Sequence, residues 1–155
     1  MIYIEDDILL SDELQSLDFW RTKGISPKEY CDRDQLWDLS WFCDILLERA
    51  EELFNFETQT YEFWTHANTR PLAWHYDKDE DAWLDGEENI FPLCSIVFYP
   101  IEDEKLMGGK LLFENGIEII PKRNRVVMFS PGLLHSVQPF RGERISYNIN
   151  PWPLR

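Results

Sequence analysis

The chain has 155 residues and a net charge of −14, from 15 Lys/Arg against 29 Asp/Glu, with 44% of residues apolar. That length suits one domain with a real core. The absence of a basic excess argues against binding nucleic-acid phosphates. No run approaches the roughly 18–20 apolar residues of a membrane helix, the opening MIYIEDDILL has no basic n-region of a secretory signal, and three spaced cysteines (Cys31, Cys43, Cys94) without a C-x-x-C pair read as reduced thiols of a cytoplasmic protein.

Punctuation changes near residue 60. The first sixty residues hold one glycine (Gly24), one proline (Pro27) and no histidine, whereas the rest hold six glycines, eight prolines and all three histidines. Gly and Pro mark turns, so the first part reads as helical and the second as short strands. Taken in order, Tyr3-Ile4 looks like an opening strand, and Ser11 followed by Asp12 and Glu13 suits a helix start. Ser26-Pro27-Lys28-Glu29 reads as a second helix start, with Ser26 as cap, Pro27 at N1 and Glu29 closing a capping box. Leu36, Leu39, Phe42, Cys43, Leu46, Ala50 and Leu53 then recur at helical spacing, the pattern of an amphipathic helix packed on something else.

Beyond residue 59 the pattern alternates. Residues 60–65, 93–99, 110–113, 117–120, 125–129 and 143–149 read as strands, and Asn115-Gly116 marks a hairpin turn. The expected fold is α+β and mainly β: a jelly roll (double-stranded β-helix, cupin-like) over 59–155, with an N-terminal strand and supporting helices over 1–58, all in one domain.

Three residues attract attention as ligands. On a strand, His75 and Asp77 project from one face while Tyr76 points away. Alone, H-x-D is equally a surface pair on a loop. His135 follows 58 residues after Asp77, behind a strand and the turn Ser130-Pro131-Gly132. In a jelly roll such distant strands are expected to face each other across the barrel mouth. Two imidazoles and one carboxylate make a facial triad, the ligand set of non-haem Fe(II) oxygenases, with three positions left open. Zinc at the same triad would suit a hydrolytic enzyme but leaves Arg144 without a role.

Arg144 lies nine residues after His135, and Arg144, Ser146 and Asn148 share a strand face by alternation. A guanidinium inside a barrel needs an anionic partner. The distal carboxylate of 2-oxoglutarate is such a partner, with Ser146 as a second donor; the alternative is an ordinary salt bridge at a strand end.

With these residues in view, about half the chain resembles the Fe(II)/2-oxoglutarate-dependent oxygenases of the prolyl 4-hydroxylase type. The resemblance runs through Trp74-His75-Tyr76-Asp77-Lys78, residues 95–99, Gly108-Gly109 to 113, residues 120–129, His135-Ser136-Val137-Gln138-Pro139 and Gly142-Glu143-Arg144-Ile145-Ser146. It implies Fe(II) on His75, Asp77 and His135, and 2-oxoglutarate anchored by Arg144. It also implies O2 as cosubstrate and ascorbate as accessory reductant. The implied reaction couples conversion of 2-oxoglutarate to succinate and CO2 with hydroxylation of an unactivated C–H, most simply of a peptidyl proline. An acid at position 77 fits hydroxylation better than halogenation.

Nine residues before His75, where the family often has tyrosine, stands His66; it either hydrogen-bonds the keto acid or is a satisfied barrel histidine. Gly108-Gly109 reads as backbone geometry at a strand entrance. Trp64, Trp74 and Trp83 either line a substrate groove or are core. The six acids of residues 78–90 form either a lid for a basic peptide or a solvated loop. Other readings are hydroxylation of a free amino acid or small metabolite, and a non-catalytic cupin-like metal-binding module. A nucleic-acid demethylase fits the acidic charge poorly.

Overall fold

The computed structural model describes residues 1–23, 28–68, 70–79, 84–86 and 90–153. Strand β1 (Ile2–Asp6) leads into α1 (Ser11–Lys23). The helix opens where its acids suggest, and Glu13 Oε1 accepts the Leu10 N–H at 2.8 Å, satisfying one of the amides a helix start leaves unpaired. The second predicted helix start is wrong. Ser26 and Pro27 lie outside the described residues, and Lys28–Asp32 is a strand, β2. Here the local capping signal loses to pairing: Cys31 is buried and Tyr30 exposed, the alternation of an edge strand. The helix that carries the periodicity, α2 (Ser40–Phe54), starts later. Leu36, expected on its apolar face, precedes it and is 88% exposed. Asn55 ends the helix in the left-handed conformation at φ 56°.

The strands follow as β3 (Thr60–Ala67), β4 (Leu72–His75), β5 (Ser95–Tyr99), β6 (Met107–Gly108), β7 (Leu111–Phe113), β8 (Glu118–Ile119), β9 (Arg125–Phe129), β10 (His135–Val137), β11 (Phe140–Arg141) and β12 (Ile145–Trp152). Gly116, at φ 91°, turns β7 into β8 where the Asn-Gly pair was expected to. A major sheet has the order β1-β9-β5-β12-β3-β2, and a minor sheet β4-β10-β7-β8; all the pairings are antiparallel. This is the jelly roll that the strand pattern implied, mostly β with few helices. The N-terminal segment contributes both edge strands of the major sheet, one more than expected.

Alternation sends each face of the major sheet to a different core. Tyr61, Phe63, Ile96, Phe98, Val126, Met128, Tyr147 and Ile149 pack outward with Leu17 of α1 and with Phe42, Cys43, Leu46, Leu47 and Ala50 of α2. Tyr99, Val127 and Phe129 pack inward on Leu111, Phe113, Ile119 and Val137 of the minor sheet. Cys31, Cys43 and Cys94 are all free thiols and buried.

Phe42 is the hub of the outer core. It is fully buried and meets the rings of Phe98, Tyr147 and Phe63 at 5.1, 5.9 and 6.5 Å in edge-on geometry. Phe42→Ala should therefore cost about 3–5 kcal/mol in urea unfolding, since the surrounding rings belong to three strands and cannot collapse into the space.

Candidate active site

His75 is the last residue of β4 and His135 the first of β10. The two strands do not face each other across the barrel mouth, as expected from sequence. They are neighbours in the minor sheet, and His135 pairs directly with His75. Cross-strand partners project from the same face, so the rings lie 4.3 Å apart between centroids. Asp77, two residues past the end of β4, turns back under them. Its Oδ1 lies 3.4 Å from His135 Nε2 and 3.7 Å from His75 Nε2.

Backbone carbonyls decide which ring nitrogens face this point. His75 Nδ1 lies 2.7 Å from Ala73 O, and His135 Nδ1 lies 2.8 Å from Leu133 O. A carbonyl can only accept, so each Nδ1 must donate, and each neutral ring turns its Nε2 lone pair inward. The second Asp77 oxygen, Oδ2, accepts from the buried Ser95 hydroxyl at 2.6 Å, leaving Oδ1 for the shared point. Candidate ligand atoms of the three side chains lie within 4.8 Å of one another. This donor set, with its outer hydrogen bonds in place, fits a divalent metal ion.

Electrostatics agree. Burial would push the Asp77 carboxyl up, but His135, Ser95 and His75 together hold it below its ordinary value. Burial would push His135 down, but the bond and charge of Asp77, helped by Leu133 O, bring it above the ordinary histidine value. A metal must displace that proton. Affinity for Fe(II), or for Co(II) as a spectroscopic substitute, should therefore begin to fall on acidification above the ~6.5 of free imidazole. Dissociation constants measured across about pH 5.5–8 check this.

Arg144 immediately precedes β12 and is 6% exposed. Its Nε donates to Gly109 O at 2.8 Å, one Nη lies 3.5 Å from the Tyr99 hydroxyl, and the guanidinium carbon sits 5.5 Å from the Tyr99 ring centroid. Among the described residues Arg144 makes no ion pair, so the ordinary salt bridge is not what buries it. Gly109 has φ +75°, and a Cβ there would come within 3.2 Å of Arg144 Cδ; on Gly108, at φ +76°, one would strike Pro139 O at 2.2 Å. The glycine pair is indeed backbone geometry, and Gly109 makes room for the arginine.

Ser146 and His66 are cross-strand partners on β12 and β3. Ser146 is buried; its Oγ accepts from Asn148 Nδ2 at 3.2 Å. His66 Nε2 accepts from Trp64 Nε1 at 3.1 Å. Burial first, then the charges of Arg144 and His75, push the imidazole of His66 down, so the ring is neutral with Nδ1 as donor. Trp64 is half-buried on this inner face, and Trp74 is 51% exposed on β4, so neither is core. Trp83 and most acids of 78–90 lie outside the described residues. Sequence reasoning missed Ser95 and Tyr99, although both fall in phase with the inward positions of β5.

Residues 60–152 match the family model described as "2OG-Fe(II) oxygenase superfamily". The chain belongs to this superfamily. It is a 2-oxoglutarate-dependent dioxygenase, of a family that uses Fe(II), 2-oxoglutarate and O2, and His75, Asp77 and His135 could form its iron site. Solved oxygenase structures share the fold. The collagen prolyl hydroxylase of Paramecium Bursaria Chlorella virus-1, in complex with 2OG, is 20% identical with a TM-score of 0.69, covering 99% of this chain and 96% of that one. A Pseudomonas putida prolyl-4-hydroxylase is 18% identical with a TM-score of 0.70, covering 99% and 93%. A Trichoplax adhaerens prolyl hydroxylase, in complex with a hypoxia inducible factor peptide fragment, is 13% identical with a TM-score of 0.61, covering 97% and 83%. No curated protein matches the chain in sequence. No helix among the described residues is long and apolar enough to cross a membrane.

Proposed function

We propose that the enzyme hydroxylates a prolyl residue of a peptide, with Fe(II) on His75, Asp77 and His135 and with 2-oxoglutarate held at its far carboxylate by Arg144. The observation that carries the cosubstrate assignment is a buried guanidinium without an anionic partner among the described residues, on the sheet face that also leads to the triad. Such a charge is costly unless a ligand supplies the missing anion. Arg144 can grip a carboxylate through two parallel bonds. The Tyr99 and Ser146 hydroxyls are further donors beside it, and His66 stands opposite Ser146 on β3.

When bound, the iron supplies the oxidising chemistry. The protein's own residues do the rest. His75 and His135 turn Nε2 inward because backbone carbonyls take their Nδ1 protons; Ser95 aims Asp77; and Arg144, packed on Gly109 and Tyr99, sets where the keto acid ends. The prolyl peptide as substrate is supported by the likeness to prolyl hydroxylases, one of them bound to a peptide, and by the acid at position 77, which occupies the place halogenating relatives leave open.

Two measurements test this. Fe(II) plus 2-oxoglutarate without oxygen should give a weak visible charge-transfer band that disappears in His135→Ala. Proline peptides should gain the mass of one oxygen with stoichiometric succinate. A protein that binds iron but not 2-oxoglutarate would sink the cosubstrate assignment.

A further inference from the structure

Alternation along β12 and β3 builds a polar stripe on the inner face of the major sheet. Asn148 pairs with Trp64 and Asn150 with Glu62, continuing the Ser146–His66 row, while the residues between them point into the helix-side core. The stripe has two ends. Arg144 and Tyr99 mark one. At the other, Ile149 pairs with Ile96, and the Leu93 N–H still donates to Pro151 O at 2.8 Å. The register therefore sets Asn150 beside Ser95, whose hydroxyl holds Asp77. Six residues of strand, roughly 20 Å, separate Asn150 from Arg144. The Arg144 half of the cavity is taken by the keto acid and the arginine's own side chain. On the reading above, the Asn150 end, beside the Ser95 that holds Asp77, is left for the substrate.

That end offers two acceptors. Asn150 is 3% exposed, and its Oδ1 is buried with no hydrogen-bond partner among the described residues. Glu62, on the adjacent strand, is 8% exposed. It already has a partner within the protein, but one carboxylate has about four acceptor positions, enough for a substrate donor as well. Trp64, on the same face one step along β3, is only half-buried.

We propose that Glu62 and Asn150 select a substrate that carries a protonated nitrogen next to the carbon to be hydroxylated. This rests on the hydroxylase reading above and adds the substrate's charge. The nitrogen can come from a neighbouring lysine or arginine side chain or from a free α-ammonium. Both present N–H donors and positive charge to the same acceptors, and the chain's overall negative charge draws either one in.

The test compares capped proline peptides of equal length with Lys, norleucine or Glu beside the proline, plus an uncapped peptide with a free α-ammonium adjacent to it. The lysine or the uncapped peptide should exceed the norleucine peptide in kcat/KM by roughly 10- to 100-fold, and the glutamate peptide should be poorest. Whichever of the first two leads identifies the source of the nitrogen. Glu62→Gln keeps the shape and should bring the preference close to one, whereas Asn150→Asp should sharpen it. A merely structural role would lower all peptides alike and leave the ratio untouched, which overturns the proposal, as would equal rates in the unmodified enzyme. If no proline peptide reacts, the prolyl reading has failed, and the charge preference is read separately from Tm. N-acetyl-lysine methylamide should raise Tm, its norleucine counterpart should not, and Glu62→Gln should erase the difference. Equal shifts, or none, overturn the proposal by that route.

Discussion

Asp77→Ala is expected to lower turnover by at least about 10³-fold, some 4 kcal/mol in the barrier, with metal content falling in parallel. The carboxylate is the anionic member of the candidate ligand set, and its Oδ1 lies within 3.7 Å of both inward-facing imidazole nitrogens. Without it, two neutral donors on adjacent strands would have to hold a divalent cation alone. The loss should exceed the 10- to 100-fold that outer-shell changes usually cost, and Ser95→Ala, which only releases the Oδ2 bond, supplies that smaller comparison. Fold damage is separable by unfolding the metal-free proteins. A variant that keeps its iron and its turnover would show that the metal sits elsewhere.

Arg144→Met should raise the KM for 2-oxoglutarate by about 10²- to 10³-fold, the loss of roughly 3–4 kcal/mol expected when one member of a buried charge pair is removed. Its effect on the metal-free, ligand-free protein should have the opposite sign. There the guanidinium is buried, its partners among the described residues being a carbonyl, a hydroxyl and an aromatic ring, and burial pushes its pKa down. An apolar side chain of similar length removes that burden, so Tm should hold or rise. Arg144→Lys should fall between in KM, because an ammonium restores the charge without the two-pronged grip. Equal KM values would mean that the anion is bound by other donors. A large drop in Tm of the Met variant would mean that the arginine is there for the fold.

The candidate site was more legible in the sequence than the N-terminal fold, and the reason is physical. His75, Asp77, His135 and Arg144 are residue types whose burial demands a partner, so their spacing against turns and strands carries information about chemistry. The error at Ser26-Pro27 arose from a signal of the opposite kind. A capping sequence states only what is locally favourable, and the pairing of β2 with β3 is settled by residues on a strand that begins only at Thr60. Leu36 misled in the same way, matching a helical period by coincidence. Tyr99 and Ser95 were hidden because strand alternation shows which face a side chain takes without showing which side chains lie opposite. The same gap in information led to strands β4 and β10 being set across the barrel when they are adjacent.

That adjacency has a mechanical consequence. β4 is an edge strand of the minor sheet, paired among the described residues only with β10 and through a register irregular between His135 and Val137. An ion shared by His75 and His135 would act as a rivet through one of the two residue pairs that fasten this border. Chelation should then do more than silence the enzyme. Amide exchange along 72–77 should quicken while β9 and β12 stay protected, so that catalytic competence and the integrity of that margin are lost and regained together.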